Sequence, residues 1–217
     1  MNGEILHDQD IRESLFFFLE STYGKIRILE EKNTGASRAD AVMVLESCVC
    51  GIEIKSDADT YARLASQIES YDQYYDANFV VIGLSHLQHI REHIPAWWGI
   101  ITCEREQGYL DFYIEQQAQP NPRMDPRRKL SLLWRPELNH ILERNHLPAY
   151  REKSKAFVQS VLLDRVDRDL LWRMVSDELF ERDYTRIADT IRTYREQHVR
   201  KSRRRSTKYG SPRRKLL

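Results

Sequence analysis

The sequence predicts an α/β domain, with a mixed central sheet flanked by helices over about residues 1–118 and a helical extension over 119–194. Three observations predict it. Asp40 to Leu45 and Cys48 to Lys55 are strand-like runs separated only by Glu46-Ser47, which reads as a hairpin. Asn78 to Leu84 is a near-continuous apolar run, the pattern of a central strand covered on both faces. The segments around them place apolar residues at helical spacing.

In chain order, Asp10 to Leu19 reads as a helix because Ile11, Leu15, Phe18 and Leu19 recur at helical spacing. Asp8 or Asp10 caps its start and Gly24 stops it. Lys25 to Glu31 alternates Ile26, Ile28 and Glu30 with Arg27, Leu29 and Glu31, a short strand, and Asn33 to Ser37 is a turn by composition. In the hairpin, a two-residue turn at Glu46-Ser47 pairs Leu45 with Cys48, and Asp40 then falls opposite Glu53. Cross-strand partners share a face with β-carbons about 5 Å apart. Alternation puts Lys55 on that face too, while Ile52 and Ile54 face the other way. A one-residue slip of register destroys the coincidence.

Asp57 to Asp76 reads as a helix capped by Asp57 or Asp59. Tyr61, Leu64, Ala65 and Ile68 form its buried stripe, and Arg63, Gln67 and Tyr71 share an adjacent face. Ser85 to His93 is helical and ends before Pro95; Trp98 to Cys103 and Tyr109 to Glu115 are strands around Gln107-Gly108. Gln116 to Arg128, with three prolines, reads as a linker. Beyond it Leu130, Leu133, Trp134 and Leu138 fall in one helical element, with Phe157 to Arg168 and Leu170 to Leu179 in others.

With 41% apolar and 31% charged residues, the 217-residue chain has the composition of a soluble protein. Its longest apolar stretches are far too short to cross a bilayer, and the start lacks a signal peptide's basic and apolar regions. A cytoplasmic location without a membrane partner is expected. Three cysteines make no disulfide framework. Cys48 and Cys50, two apart on one strand, read more readily as buried small side chains than as part of a metal site. The net charge of +1 hides an asymmetry: residues 195–217 carry ten Lys/Arg against one Glu, which leaves the remainder acidic. Such a tail is expected to be disordered alone and to favour a polyanion such as DNA through counterion release.

Two carboxylates on adjacent strands suit a hard divalent cation, Mg²⁺ or Mn²⁺, which keeps several waters and takes substrate phosphate as a further ligand. Such an ion activates a water, and a nearby lysine orients that water or neutralises the scissile phosphate. Asp40 and Glu53 are therefore candidate metal ligands, with Lys55 as their catalytic partner. Ser56 either bonds a phosphate or caps the following helix. His86, His89 and His93 form a helical stripe that lacks the further ligands of a zinc site and reads as a solvated face. Trp97-Trp98 reads as core rather than as a base-stacking pair. The sequence has no phosphate-binding Gly-rich loop ending in Lys-Ser/Thr.

Arg38-Ala39-Asp40, Gly51-Ile52-Glu53-Ile54-Lys55-Ser56 and Gln67-Ile68-Glu69-Ser70-Tyr71 together resemble the PD-(D/E)XK nuclease superfamily over about residues 10–115. The last string matches the Gln-x-x-x-Tyr element of RecB-like members. The first two also look like the MmcB-like DNA repair family, and the nearest likeness is to small bacterial and prophage proteins. Ala39 stands where the motif's name has proline. The resemblance implies a restriction-endonuclease-like domain over 1–118 that hydrolyses DNA phosphodiester bonds in a phage, repair or defence setting. It implies Asp40 and Glu53 as metal ligands, Lys55 acting on the water, and Gln67 and Tyr71, with Arg38 and Ser56, facing substrate. It further implies an acid before the hairpin, for which Glu31 ranks above Glu13 and Glu20. The alternative is an inactive nucleic-acid- or protein-binding module on the same fold. A homodimer or a protein partner would engage the helical extension.

Overall fold

A computed structural model describes residues 8–34, 37–57, 59–106 and 109–183. Helix α1 (Asp8–Tyr23) buries Ile11, Leu15 and Leu19 completely, the stripe expected from their spacing. Burial of each such side chain contributes about 1.5–3 kcal/mol. Gly24, at φ +76°, ends the helix by donating its N–H to the Glu20 carbonyl at 3.0 Å, a left-handed stop that glycine adopts without steric cost. Strands β1 (Arg27–Thr34), β2 (Ser37–Val44) and β3 (Val49–Lys55) follow as an antiparallel meander.

Helix α2 (Leu64–Tyr74) crosses over from β3 to β4 (Ala77–Gly83), and a short helix α3 (Leu87–Ile90) precedes β5 (Gly99–Glu106). Strands β3, β4 and β5 run parallel, and β6 (Tyr109–Gln116) returns antiparallel. The result is an open, mixed six-stranded sheet in the order β1-β2-β3-β4-β5-β6. Every residue of β3 and β4 is buried, as the apolar run at 78–84 predicted for a central strand.

The two sheet faces carry two cores. Ala41, Met43, Cys50, Ile52, Ile54, Phe79 and Val81 pack with α1. The opposite face packs Val42, Val44, Val49, Val80 and Ile82 against Leu64, Ile68 and Tyr71 of α2. That second core also takes residues from α4 (Pro126–Ser131), α5 (Arg135–Arg144), α6 (Lys155–Arg165) and α7 (Arg168–Phe180), among them Leu130, Leu142, Leu162 and Val175. Through Phe180 the chain is one compact unit. The basic tail expected at 195–217 lies outside the described residues.

Several elements differ from expectation: the turn expected over Asn33 to Ser37 is narrower, with β1 running to Thr34 and β2 starting at Ser37. The helix expected from Asp57 starts only at a 3₁₀ turn, Tyr61–Arg63, because Asp59 turns back to accept from the Ser56 N–H at 2.8 Å and hydroxyl at 2.7 Å. Ser85 to His93 is helical only in part, a 3₁₀ turn Leu84–His86 leading into α3. The single element expected across Leu130 to Leu138 is two helices. Trp134 is extended, its N–H donates to Glu137 at 2.6 Å, and Pro136 sits in the first turn of α5, where proline's missing donor is harmless. The proline-rich linker is strapped to the end of α2: Asn121 Nδ2 donates to the Asp72 and Tyr75 carbonyls at 2.8 and 2.7 Å.

Candidate active site

The β2–β3 hairpin closes through Leu45 N donating to the Cys48 carbonyl at 2.8 Å. Its ladder pairs Val44 with Val49, Met43 with Cys50, Val42 with Gly51 and Ala41 with Ile52. This is the register predicted from the two-residue turn; the ladder ends at the Ala41–Ile52 pair, one position short of Asp40 and Glu53. Beyond Ala41 the Asp40 side chain joins the strands: Oδ2 accepts from Ile54 N at 2.9 Å. One carboxylate oxygen is thus committed to holding the hairpin.

Glu53 and Lys55 lie on the α2 face, as alternation requires, because Ile52 and Ile54 fill the α1 core. Lys55 Nζ stands 2.6 Å from Glu53 Oε1, and the pair is nearly sealed, with side-chain exposures of 4% and 1%. Helix α2 supplies the lid. Gln67 receives Lys55 Nζ at Oε1 (3.1 Å) and donates Nε2 to Glu53 Oε1. One turn later the Tyr71 hydroxyl reaches Glu53 Oε2 at 2.7 Å. It also lies 3.2 Å from the Ile52 carbonyl and accepts from Asp40 N at 3.2 Å. A phenol has one proton, and the charged, shorter contact takes it. Burial, with the negative charges of Glu53 and Asp40, pushes the Tyr71 pKa well up, so the phenol remains a donor.

Asp40 is the accessible member, its side chain 27% exposed. Arg12 of α1 donates NH1 to the Asp40 carbonyl at 2.9 Å and brings NH2 within 3.6 Å of Oδ1. Nothing in the sequence pattern pointed to Arg12, since it flanks the α1 stripe and its partner is 28 residues away. Arg38 is exposed, two residues before Asp40 and so on the same strand face. Arg63 is also exposed.

The remaining predicted residues fall as follows. Glu31 lies within β1, and its side chain is outside the described ones. Glu13 and Glu20 are exposed on α1, which packs against the sheet face opposite Glu53. Ser56 is buried and gives its hydroxyl to Asp59, so it caps no helix. Its carbonyl meets His86 Nε2 at 3.1 Å, while His86 Nδ1 meets the Tyr61 hydroxyl at 2.8 Å. His86 is therefore tied into the loop after β3 rather than presented to solvent. Trp98 is wholly buried, and its indole N–H donates to Asp72 at 2.8 Å, the core role expected of it.

Among the described residues no three His, Cys, Asp or Glu side chains converge as a metal cluster. The hairpin offers two carboxylates. That donor set fits a hydrated Mg²⁺ or Mn²⁺ held by one or two carboxylates, and does not fit a closed structural zinc site. No described helix is long and apolar enough to cross a membrane.

Residues 25–206 match the family model described as Bacteriophage P4 protein cII. The match covers the hairpin, the parallel strands and the helices that follow, and the description states a phage protein without an activity. No curated protein matches the chain.

Proposed function

The chain belongs to the bacteriophage P4 protein cII family, and for this member we propose a Mg²⁺- or Mn²⁺-dependent deoxyribonuclease on a PD-(D/E)XK-like core. The observation that carries the reading is the buried Glu53–Lys55 pair tied to Gln67 and Tyr71 of α2, with Asp40 joined to the same network through its N–H on the Tyr71 hydroxyl. Three sequence strings separated by many residues become one hydrogen-bonded network, which supports the resemblance they suggested.

Asp40 and Glu53 would hold the cation, which supplies a water of lowered pKa and offsets charge on the scissile phosphate. The protein's own groups do the positioning. Gln67 and Tyr71 fix both Glu53 oxygens, so the carboxylate is oriented before substrate arrives. Lys55 has three ammonium protons, two of them directed at Glu53 and Gln67; the third would serve a phosphate oxygen or the attacking water once Gln67 moves aside. Arg12 and Arg38 add positive charge beside Asp40, where a DNA backbone would pass.

One observation favours a second reading. Glu53 and Lys55 are almost inaccessible, so a substrate reaches them only if Gln67 swings aside. In that reading the trio is a buried structural network and the protein is a binding module on a nuclease-like fold.

Cleavage of a panel of linear duplex, single-stranded, nicked, flap and four-way-junction DNA in Mg²⁺ or Mn²⁺ separates the two. Asp40→Asn is the informative variant, because the amide oxygen still accepts from Ile54 N while the metal-binding charge is lost. Metal-dependent cutting that disappears in Asp40→Asn, with unfolding unchanged, supports the nuclease. Absence of cutting by the wild type in both metals, or equal cutting by the variant, refutes it.

A further inference from the structure

At the opposite end of the same hairpin, where β3 begins, two thiols face each other. Cys48 Sγ and Cys50 Sγ are 3.5 Å apart, and neither is in a disulfide. Cys48 is partly exposed in the turn, while Cys50 is buried against the α1 core. The β2–β3 ladder starts at Val49, so Cys48 lies outside it, its carbonyl accepting from Leu45 N. We propose that Cys48 and Cys50 form a peroxide-reactive dithiol, in which Cys48 takes the oxygen and Cys50 resolves it as an intrastrand disulfide.

The two positions differ in the way such chemistry needs. The contact between the two sulfurs lowers the Cys48 pKa and favours its thiolate, against burial and the Asp76 carboxylate, which raise it, and with a smaller lowering from the Lys129 ammonium. That contact and full burial push Cys50 up, so it stays a thiol shielded from solvent oxidant. Thiolate, not thiol, is the nucleophile.

The steps balance. The Cys48 thiolate attacks the peroxide, an S–O bond forms as the O–O bond breaks, and the departing oxyanion takes a proton from solvent. Cys48 is then a sulfenic acid and the peroxide is reduced to water or an alcohol. The Cys50 sulfur next attacks Cys48, the S–S bond forms, and hydroxide leaves with the Cys50 proton as water. The two sulfurs stand 3.5 Å apart, and closing that gap to an S–S bond of about 2.05 Å asks for a small movement at Cys48, which lies in the turn before β3. The bond is therefore within reach, and an external dithiol restores the pair.

The test uses the reduced full chain exposed to limiting hydrogen peroxide under native conditions, then unfolded in denaturant with N-ethylmaleimide to block every remaining thiol, digested and weighed. The expected result is a peptide holding both residues that has lost two hydrogens and takes up no maleimide. In Cys50→Ala, Cys48 halts as a sulfenic acid that dimedone captures; in Cys48→Ala, Cys50 survives reduced. Recovery of both wild-type thiols as maleimide adducts overturns the proposal without any variant. Equally fast oxidation of Cys50 in Cys48→Ala also overturns it. Neither readout depends on DNA cleavage.

Discussion

Replacing Lys55 with methionine keeps most of the side chain's bulk and removes the ammonium 2.6 Å from Glu53. The stranded carboxylate retains Gln67 and Tyr71 as donors, but at 1% exposure water cannot replace the lost partner. Breaking one half of a buried ion pair costs about 3–5 kcal/mol. For a urea slope of about 2 kcal/mol per M, the unfolding midpoint falls by about 2 M. Adding Glu53→Gln removes the unpaired charge, so the double variant is expected to recover about half of the loss. Urea unfolding of wild type, both single variants and the double variant measures all of this. A loss below about 1 kcal/mol would refute the sealed-pair reasoning and mean that water already reaches Glu53.

Other perturbations probe the frame around the site. Gly51→Ala sets a β-carbon 2.4 Å from the Tyr75 ring and 2.6 Å from the Tyr71 ring; the overlap should cost about 1–3 kcal/mol or more and displace the phenol that orients Glu53. Thermal melts check the stability, and any metal-dependent cleavage should fall with it. Asp72→Ala removes the acceptor shared by Trp98 Nε1 at 2.8 Å, Trp97 Nε1 at 3.3 Å and Asn78 Nδ2 at 3.2 Å. The expected loss is about 2–4 kcal/mol by denaturant unfolding, with a changed tryptophan emission. Tyr71 and Tyr75 have pKa values raised well above normal, mainly by burial. Their contribution is complete below the unfolded tyrosine pKa of about 10 and is lost as pH rises through the folded values. Tyrosinate absorbance from these two should appear together with unfolding, and Tyr71→Phe should flatten part of the pH dependence. Cys103, pushed up to about 12 by burial, is expected to resist alkylation in the native chain at neutral pH.

Sequence reading reached the hairpin correctly because every constraint on it is local. A two-residue turn fixes the pairing of Leu45 with Cys48, and strand alternation then fixes where Glu53, Lys55, Ile52 and Ile54 point. The α1 stripe and the apolar run of β4 were legible for the same reason, since period and polarity are properties of short windows. Helix starts were less legible. Asp59 resembles a cap for a helix from Asp57, yet its carboxylate serves Ser56, and the outcome depended on where β3 ended. Tertiary structure alone decided the rest. The Arg12 contact with Asp40 and the tie between α2 and the buried pair join residues far apart in the chain. It also decided that helices α4–α7 would complete the core on the site's face of the sheet. Amphipathic periodicity says that a face will be buried but not what buries it. That choice comes from packing the whole chain at once, where apolar area, hydrogen-bond partners and chain reach must be satisfied together.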